Sequence, residues 1–426
     1  MIHAAVIGAG SRGMFDLGSY ALKRPNEIKF VAVAEPNEER RRKFAEMYGI
    51  APELQFGSWE QLLAQPKLCE ALLICTMDKG HFRPTMKALE AGYHILLEKP
   101  MSPDPKEALL MAEEAKRRDR ILTICHSMRY SGFFRAVKQL LDQGAIGRMM
   151  TIQWIENVGY WHQAHSFVRG NWRNTAESSP MLLQKCCHDL DYLNWIVGAS
   201  CTSVSSFGSL SHFREENAPE GSTDRCTDGC KVEHECPYSA LKWYLNEKDA
   251  WPQKVVSLEP TLDARLKALR EGPYGRCVYR CDNDVVDHQV VTLQFDNDVT
   301  VAFTMTAFTR ETSRSFKIMG TKAELIGHTE QNEIEIRHFS GRTEIIRPEE
   351  QEGGHSGADT LLMQSFVRQV ETQSEGVSNG MESARSHLLV FAAEQSRLTG
   401  ETVHFDRYVD RLRTEYAQAA EAVQEV

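Results

Sequence analysis

Five cysteines in one part of the chain have the spacing of metal ligands. Cys226, Cys230 and Cys236 lie within the stretch RCTDGCKVEHECPYSA, and Cys277 and Cys281 follow about forty residues later. Four thiolates complete a tetrahedral zinc site, and four also hold a [4Fe-4S] cluster. We expect structural zinc on Cys226, Cys230, Cys236 and Cys277, since a closed site would pin a segment with little core of its own. Cys281 is the alternative fourth ligand, a [4Fe-4S] cluster is the alternative group, and buried thiols without metal are the third interpretation.

A glycine-rich loop opens the chain and has the spacing of a dinucleotide-binding turn. Gly8, Gly10 and Gly13 follow an apolar strand, and Glu35 ends the next strand about twenty positions later. Gly8 would make the tight turn, Gly10 would let a pyrophosphate approach the backbone, and Gly13 would let helix and strand pack closely. Glu35 would accept hydrogen bonds from ribose hydroxyls and repel a 2′-phosphate, which favours NAD over NADP. The alternative is a surface loop that happens to contain three glycines.

A lysine lies at the end of a further predicted strand, in the sequence Glu98-Lys99-Pro100. In a cofactor cleft a lysine can donate a hydrogen bond to a substrate oxygen or transfer its proton. The local sequence alone also fits a surface lysine paired with Glu98.

Alternating strand and helix patterns position these residues. Strands are predicted at 29–37, 71–76, 93–100 and 121–130, with helices between them. This alternation predicts a doubly wound parallel sheet of the Rossmann type, with ligands at the carboxyl ends of its strands. The residues that we expect to contact the cofactor there are Gly8, Gly10, Ser11, Arg12, Gly13, Glu35, Thr76, His81 and Glu98.

Composition limits the function. The chain has 426 residues and a formal net charge of −10, and it lacks the basic excess of a nucleic-acid-binding protein. No apolar run approaches the ~18 residues of a membrane span, and the first residues lack signal-peptide features. We therefore expect a cytoplasmic protein with no nucleic-acid or membrane partner.

Several of these motifs together resemble the Gfo/Idh/MocA oxidoreductase family. They are VIGAGSRG with Glu35, Glu98-Lys99-Pro100, FFRAVKQLLDQGAIGRM and the closing MESARSHLLVFAAEQSRLTGETV. The resemblance implies a Rossmann domain over residues 1–127 and, over 128–408, a C-terminal α/β domain with a large, mostly antiparallel open sheet. A helical tail would span 409–426. It also implies bound NAD(P), Lys99 as the catalytic lysine, a sugar or inositol substrate, and a homodimer or homotetramer.

The second family motif falls on PMLLQKCCHDLDYLNWIVG, where His188 matches the family histidine. Gln184 stands at the family aspartate position, and an amide cannot act as a general acid or base. Gln184, Lys185 and His188 share one helix face at spacings of three and four. We expect His188, together with Lys185, to take over proton transfer, with Gln184 contacting substrate. A histidine satisfied within the core is the alternative.

The segment 156–174 combines aromatic rings with hydrogen-bond donors, which suits a sugar ring, especially an acidic one. A polar dimer-interface loop is the alternative. The residues that we expect to bind substrate there are Tyr160, His162, His165, Arg169, Asn171 and Arg173.

The cysteines lie in an insert at about 207–285 that interrupts the family pattern. Where the insert ends, Asp282, Asp284, Asp287 and His288 either line the substrate pocket or form a strand-edge turn. His355, in a glycine-rich loop, is expected to face the same pocket.

Three functions remain open from the sequence. The first is an NAD-dependent oxidoreductase that takes a hydride from a secondary hydroxyl of a sugar, inositol or glycoside. The second is redox-assisted glycoside cleavage or elimination, with NAD recycled. The third is a non-catalytic NAD-binding regulator.

Overall fold

A computed structural model describes residues 1–257, 259–349 and 357–424, with side chains up to residue 415. The first part of the chain forms a sheet of six parallel strands in the order β3-β2-β1-β4-β5-β6. These strands are β1 Ile2–Ile7, β2 Ile28–Ala34, β3 Gln55–Phe56, β4 Ala71–Ile74, β5 His94–Leu97 and β6 Leu122–Ile124.

Helices cover both faces of this sheet, as the alternating pattern predicts. They are α1 Ser19–Lys23, α2 Glu38–Tyr48, α3 Trp59–Leu63, α4 Phe82–Glu90 and α5 Pro105–Arg117. A π-helical turn at Arg12–Asp16 precedes α1, and short 3₁₀ turns lie at Pro52–Leu54, Asp78–Gly80 and Ser127–Tyr130. Strands β4 and β5 are fully buried, and β1 is buried except at His3, because helices pack on both sides; this explains their apolar sequences.

The second sheet has nine described strands in the order β14-β13-β12-β11-β7-β10-β9-β8-β15. They are β7 Met149–Asn157, β8 Cys201–Ser209, β9 His288–Phe295, β10 Thr300–Thr306, β11 Ser313–Gly320, β12 Ala323–His328, β13 Glu333–His338, β14 Thr343–Ile346 and β15 Val403–His404. Among the described pairs only β7 and β10 run parallel. The predicted fold class is therefore confirmed: a Rossmann sheet plus a mostly antiparallel open sheet.

One face of the second sheet packs on helices. The helices of this part are α6 Gly132–Asp142, α7 Tyr160–His162 and α8 Met181–Val197, followed near the end of the chain by α12 Ala358–Thr372, α13 Gly380–Thr399 and α14 Phe405–Gln424. A second π-helical segment, Gln163–Arg169, continues directly from α7. Side chains of α8 and α13 form one core with the sheet.

The end of the chain crosses back to the first domain. Leu362, Met363 and Phe366 of α12 pack in one cluster with Val6 and Phe30 of the Rossmann sheet. Helix α12 thus packs on the Rossmann domain, and the domain boundary after residue 127 stays a prediction. The predicted tail also begins inside α14, whose Tyr408 and Leu412 are buried in the core of the second domain.

The insert lies between β8 and β9. It contains α9 Ala240–Tyr244, α10 Gln253–Val256 and α11 Leu262–Glu271, with 3₁₀ turns at Glu215–Asn217 and Pro273–Gly275. Two small apolar clusters hold it together. In the described part of the chain, no helix is long and apolar enough to cross a membrane. His355 lies outside the described residues.

Candidate active site

The glycine loop has the backbone that a bound pyrophosphate needs. Gly8 has a φ of +94°, and a Cβ there would lie 2.7 Å from the carbonyl oxygen of Cys75. A Cβ on Gly13 would overlap the carbonyl oxygen of Gly8, whereas a Cβ on Gly10 would meet nothing within 4 Å. Two glycines thus allow close packing, and the third keeps open the approach by which phosphate oxygens reach backbone N–H groups. These residues fit NAD.

Glu35 stands beside this loop at the end of β2. Its carboxylate is 7% exposed and accepts hydrogen bonds from the N–H groups of Ala9, at 2.8 Å, and Asn37, at 2.9 Å. Each carboxylate oxygen has a second lone pair for a further donor. The backbone therefore fixes an acceptor where the adenosine ribose of a dinucleotide binds in a Rossmann domain.

Two predicted cofactor contacts are paired with each other. The Arg12 guanidinium donates to Glu98 at 2.7 Å and to Asp359 of α12 at 2.8 and 3.0 Å. These ion pairs tie the glycine loop to the end of β5 and to the closing helix. Arg12 and Glu98 thus position the loop, while Ser11 next to them is exposed.

His81 lies between the backbone carbonyls of Thr76 and Pro100, which follow the ends of β4 and β5. The Nδ1 atom of His81 lies 2.7 Å from the carbonyl oxygen of Pro100, and its Nε2 atom lies 3.0 Å from that of Thr76. Both ring nitrogens therefore face backbone carbonyls, and a neutral ring donates to one of the two. The contacts of His81 are those of a residue that fixes the Lys99–Pro100 turn.

Lys99 reaches from the Rossmann domain to the second domain. Its Nζ atom donates to the backbone carbonyl of Gln184 at 2.8 Å. This carbonyl lies four residues before His188, one turn away on α8. The lysine and the histidine predicted to share the chemistry are therefore neighbours.

Helix α8 exposes two residues of an otherwise buried stretch. Between Met181 and Asn194 every residue is buried except Lys185 and His188. Because the two are three positions apart, they face the same way. The ring of His188 also packs edge-on against His126, with ring centroids 5.7 Å apart. The predicted helix face thus carries the two side chains of this stretch that are not fully buried, and we call the region around these two residues and Lys99 the cleft.

Gln184 is buried, and its side-chain amide is hydrogen-bonded to neighbouring residues. Its side-chain amide donates to the hydroxyls of Ser178, at 2.9 Å, and Ser179, at 2.7 Å. Both hydroxyls donate in turn to Asp78 of the Rossmann domain, at 3.0 and 3.3 Å. This chain of hydrogen bonds fixes the loop before α8, and substrate binding by Gln184 stays a prediction.

A buried carboxylate that the sequence analysis overlooked holds Lys185. Glu156, at the end of β7, has no exposed surface and pairs with Lys185 at 3.1 Å and with Arg314 at 3.0 Å. Arg314 also pairs with Asp189 of α8. The signal was available in the sequence, because an acidic residue ends a strand of buried apolar positions.

His162 lies beside the two lysines. Burial and the neighbouring Lys185 ammonium, with smaller contributions from His165 and Lys99, hold its pKa well below the ordinary value for histidine. The ring is therefore neutral at physiological pH and can accept or donate a hydrogen bond at the cleft.

The other residues predicted to bind substrate face the insert. His165 is 3% exposed, its Nδ1 atom lies 2.8 Å from the Tyr244 hydroxyl, and its ring stacks on Tyr274. Tyr160 packs against Tyr238 and Trp243. Of the six side chains predicted from this segment, His162 is the one placed next to Lys99 and Lys185.

Arg169, Arg173 and Asn171 are also placed away from the lysines. Arg169 is 2% exposed and donates to backbone carbonyls of the insert. Arg173 forms a two-pronged ion pair with Asp282, at 2.8 and 2.9 Å, and Asn171 is solvent-exposed. The contacts of both arginines hold the insert in place.

The acidic turn after the insert is structural in its contacts. Asp284 accepts hydrogen bonds from the N–H and hydroxyl of Thr175, both at 2.7 Å. Asp287 is fully buried and accepts from the N–H groups of Ser211 and His212, at 2.9 and 2.7 Å, while its other oxygen lies 2.8 Å from His288. These contacts favour the strand-edge turn over a pocket wall.

The predicted metal ligands come together but do not converge on one point. Cys226, Cys230, Cys236 and Cys277 line a single cavity in the insert. Across the described ranges, no group of three or more His, Cys, Asp or Glu side chains is arranged to hold a metal ion. Structural zinc is therefore not supported by this geometry.

Family profiles match both parts of the chain. An oxidoreductase family with an NAD-binding Rossmann fold matches residues 2–126, and the C-terminal α/β domain of the same family matches residues 138–405. Together these matches cover most of the chain.

Individual relatives agree with these matches. A Bacillus subtilis protein named as an oxidoreductase, YteT, is 23% identical over 76% of this chain and 78% of its own length. Inositol 2-dehydrogenase 4 of Saccharopolyspora erythraea is 27% identical over 52% of this chain and 61% of its own length. A levoglucosan dehydrogenase solved with NADH and levoglucosan superposes with a TM-score of 0.69 at 16% identity, covering 94% of this chain and 98% of that one. At this identity the structural likeness concerns the fold.

Proposed function

The chain belongs to the Gfo/Idh/MocA oxidoreductase family, and on that basis we propose that it is an NAD-dependent dehydrogenase acting on a secondary hydroxyl of a sugar, inositol or glycoside. The observation that carries the proposal is the contact between Lys99 and the carbonyl of Gln184. This contact supports the proposal because Gln184 directly precedes Lys185 and lies one turn before His188, the two half-buried residues of that stretch of α8. The inositol dehydrogenase relative supports the substrate class.

NAD is the proposed dinucleotide, with NADP less favoured. The Glu35 carboxylate is held by two backbone N–H groups beside the glycine loop. A fixed negative charge there attracts ribose hydroxyls and repels a 2′-phosphate. When bound, NAD supplies the acceptor for the hydride.

We assign removal of the hydroxyl proton to His188 and stabilisation of the developing alkoxide to Lys99. An ammonium has three N–H donors. Lys99 uses one of them in the hydrogen bond to the Gln184 carbonyl, so two remain for a substrate oxygen. Histidine is the side chain whose unperturbed pKa lies nearest neutrality, which suits a general base.

Lys185 and His162 complete the proposed site. Glu156 holds the Lys185 ammonium in a fixed place, where it adds positive charge near the alkoxide. The neutral ring of His162 is suited to orienting a neighbouring substrate hydroxyl.

The alternative with recycled NAD loses part of its support. It drew on the Gln184 position and on the extra histidines of the segment 156–174. His165, however, is buried against Tyr244 and Tyr274. The regulator alternative is less favoured, because Lys99 contacts the carbonyl of Gln184 one turn before His188, as a catalytic pair requires.

A substrate panel tests the proposal. The full-length protein is mixed with NAD or NADP and a series of sugars, inositols and glycosides, and formation of NADH or NADPH is followed by absorbance. We expect reduction of NAD with at least one cyclic polyol and a strong preference for NAD. Tight NAD binding with no reduction on any member, or product formed without NADH, would reject the dehydrogenase.

Assembly and location remain proposals. Ile155, Val290 and Phe207 are 38–71% exposed and lie in one row across the open sheet, because Thr304 pairs with both Ile155 and Val290, and Val290 pairs with Phe207. This row supports a homodimer or homotetramer built on the sheet. A cytoplasmic location and a metal group in the insert are separate proposals on which hydride transfer does not depend.

A further inference from the structure

The two cysteine-bearing turns of the insert are pinned side by side by their backbones. The N–H of Cys226 donates to the carbonyl of Gly275 at 2.9 Å, and the N–H of Cys277 donates to the carbonyl of Asp224 at 2.8 Å. Arg225 and Arg276 form the β-bridge between them. Cysteines about fifty residues apart in sequence are therefore neighbours in the fold.

Four of the five cysteines of the insert border one cavity. Cys226, Cys230, Cys236 and Cys277 line it together with Arg169. Cys281 takes a different direction, because its thiol donates to the carbonyl of Cys277 at 3.3 Å. The fold thus selects the same four cysteines from two separate turns.

One of these sulfurs is surrounded by hydrogen-bond donors. The Sγ atom of Cys226 accepts from the N–H of Ala240 at 3.5 Å and from the Arg169 guanidinium at 3.8 Å. A neutral thiol is a weak acceptor, whereas N–H donors aimed at sulfur are a known means of stabilising metal-bound thiolates.

Arg169 brings an uncompensated positive charge to the cavity. The guanidinium is 2% exposed and donates to the carbonyls of Arg276 and Tyr238, both at 2.7 Å, as well as to Cys226. Its hydrogen bonds go to these two carbonyls and to the sulfur, and it forms no ion pair with a described carboxylate. A buried charge is costly unless an opposite charge is close. Glu233 also lines the cavity, where it accepts a hydrogen bond from Ser239, and the sulfur of Cys226 is the group that contacts Arg169 itself.

We propose that Cys226, Cys230, Cys236 and Cys277 bind a [4Fe-4S] cluster whose net negative charge is balanced by Arg169. Four thiolates on such a cluster leave an excess of negative charge, which matches a buried guanidinium. A cluster suits this cavity better than a zinc ion does. The four cysteines line the cavity, yet among the described residues no three His, Cys, Asp or Glu side chains converge as a single ion requires.

The cluster would fasten the insert to the segment that borders the cleft. Arg169 ends the π-helical segment Gln163–Arg169, and His162 lies directly before that segment. The proposed cluster therefore holds the wall next to His162 without touching substrate. This inference does not rest on the proposed dehydrogenase activity, because its test reads metal content.

The decisive experiment is analysis of the full-length protein prepared without oxygen from iron-supplied cells. We expect a brown protein that absorbs in the visible and contains about four iron atoms and about four acid-labile sulfides per chain. Zinc at about one atom per chain without iron, or a colourless protein whose four thiols all react with a thiol reagent, would overturn the proposal.

Matched serine variants test the ligand set. Cys230→Ser should lose most of the iron and the visible absorption, whereas Cys281→Ser should keep both at the wild-type level. Iron that is lost in Cys281→Ser and kept in Cys277→Ser would overturn the assignment of the fourth ligand. Since the wild-type protein alone decides whether a cluster is present, a variant that fails to fold does not block the test.

Discussion

The cleft and the insert contain the same kinds of side chain in opposite surroundings. In the cleft, Lys185 and His188 are the accessible residues of an otherwise buried stretch of α8, and Lys99 keeps donors free. In the insert region, His165 and Arg169 are 2–3% exposed and engaged by the Tyr244 hydroxyl and by backbone carbonyls. The comparison shows that residue type alone only suggests a functional site. The exposure and the contacts of each side chain distinguish a catalytic role from a structural one.

We expect the largest effect in the cleft, when Lys99 is replaced. Lys99→Met should lower kcat by about 10²–10⁴-fold, because a general acid–base or alkoxide-stabilising group contributes on that scale. The free energy of unfolding and the Kd for NAD should stay near wild type. Steady-state kinetics, denaturant unfolding and NAD titration measure the three quantities.

Lys87→Met is the matched control for this change. Lys87 is on the surface of α4 and pairs with Glu90, so its removal should leave kcat unchanged. If Lys99→Met keeps most of its activity, the division between cleft and insert that we describe is wrong.

Arg169 holds the insert, so we expect its replacement to lower the stability of the protein. Arg169→Leu leaves two buried carbonyls and the cysteine sulfurs without their donor, and we expect the free energy of unfolding to fall by about 3–5 kcal/mol. Denaturant unfolding measures the loss.

Arg173→Leu is the control because Arg173 pairs with Asp282, a carboxylate that is half exposed at 52%. An ion pair of that kind is worth at most about 1 kcal/mol. Equal losses in the two variants would show that Arg169 carries no special charge-balancing role.

Glu35 sharpens the cofactor side of the comparison. Glu35→Ala should raise the Kd for NAD by about 10–100-fold, since a hydrogen bond to a charged group contributes about 1.5–3 kcal/mol. The preference for NAD over NADP should weaken in the same titrations, while kcat at saturating NAD should change little. An unchanged preference would remove Glu35 from dinucleotide selection.

His165 sharpens the comparison through pH. Burial, and next Arg169, lowers the pKa of His165 to about 3, whereas an unfolded chain takes up that proton near pH 6.5. Between these values the unfolded state binds more protons, so stability falls as pH falls. The share of His165 is about 2 kcal/mol from about pH 6.5 to about pH 5.

The test compares His165→Phe with wild type in denaturant unfolding across this range. The variant should lose less stability on acidification, by that amount. Identical slopes would mean that His165 is not buried against the insert.

The Rossmann half was predictable because its signals are local. Gly8, Gly13 and Glu35 act within one strand–turn–helix–strand unit, so their spacing alone carries the geometry. The shared face of Lys185 and His188 was predictable for the same reason, since α8 keeps a regular helical period.

The contacts of the side chains in the segment 156–174 could not be predicted from their spacing. In an α-helix His162, His165 and Arg169 would share one face, at spacings of three and four. The structure is π-helical from Gln163 to Arg169, and its i→i+5 bonding winds more residues into each turn. His165 and Arg169 contact the Tyr244 hydroxyl and backbone carbonyls of the insert, whereas His162 lies next to Lys185. Glu156 itself could be noticed in the sequence, but its pairing with Lys185 depends on how β7 packs against α8 and could not be predicted from local spacing.

The central claim is that the cleft performs net hydride transfer to NAD. Its most direct test uses a substrate from the panel that carries deuterium on the carbinol carbon, with product and NADH measured together. We predict equimolar oxidised product and NADH, with the deuterium recovered in the NADH and a slower turnover than with the unlabelled substrate. Product that accumulates without NADH, or NADH that carries no deuterium, would contradict the account.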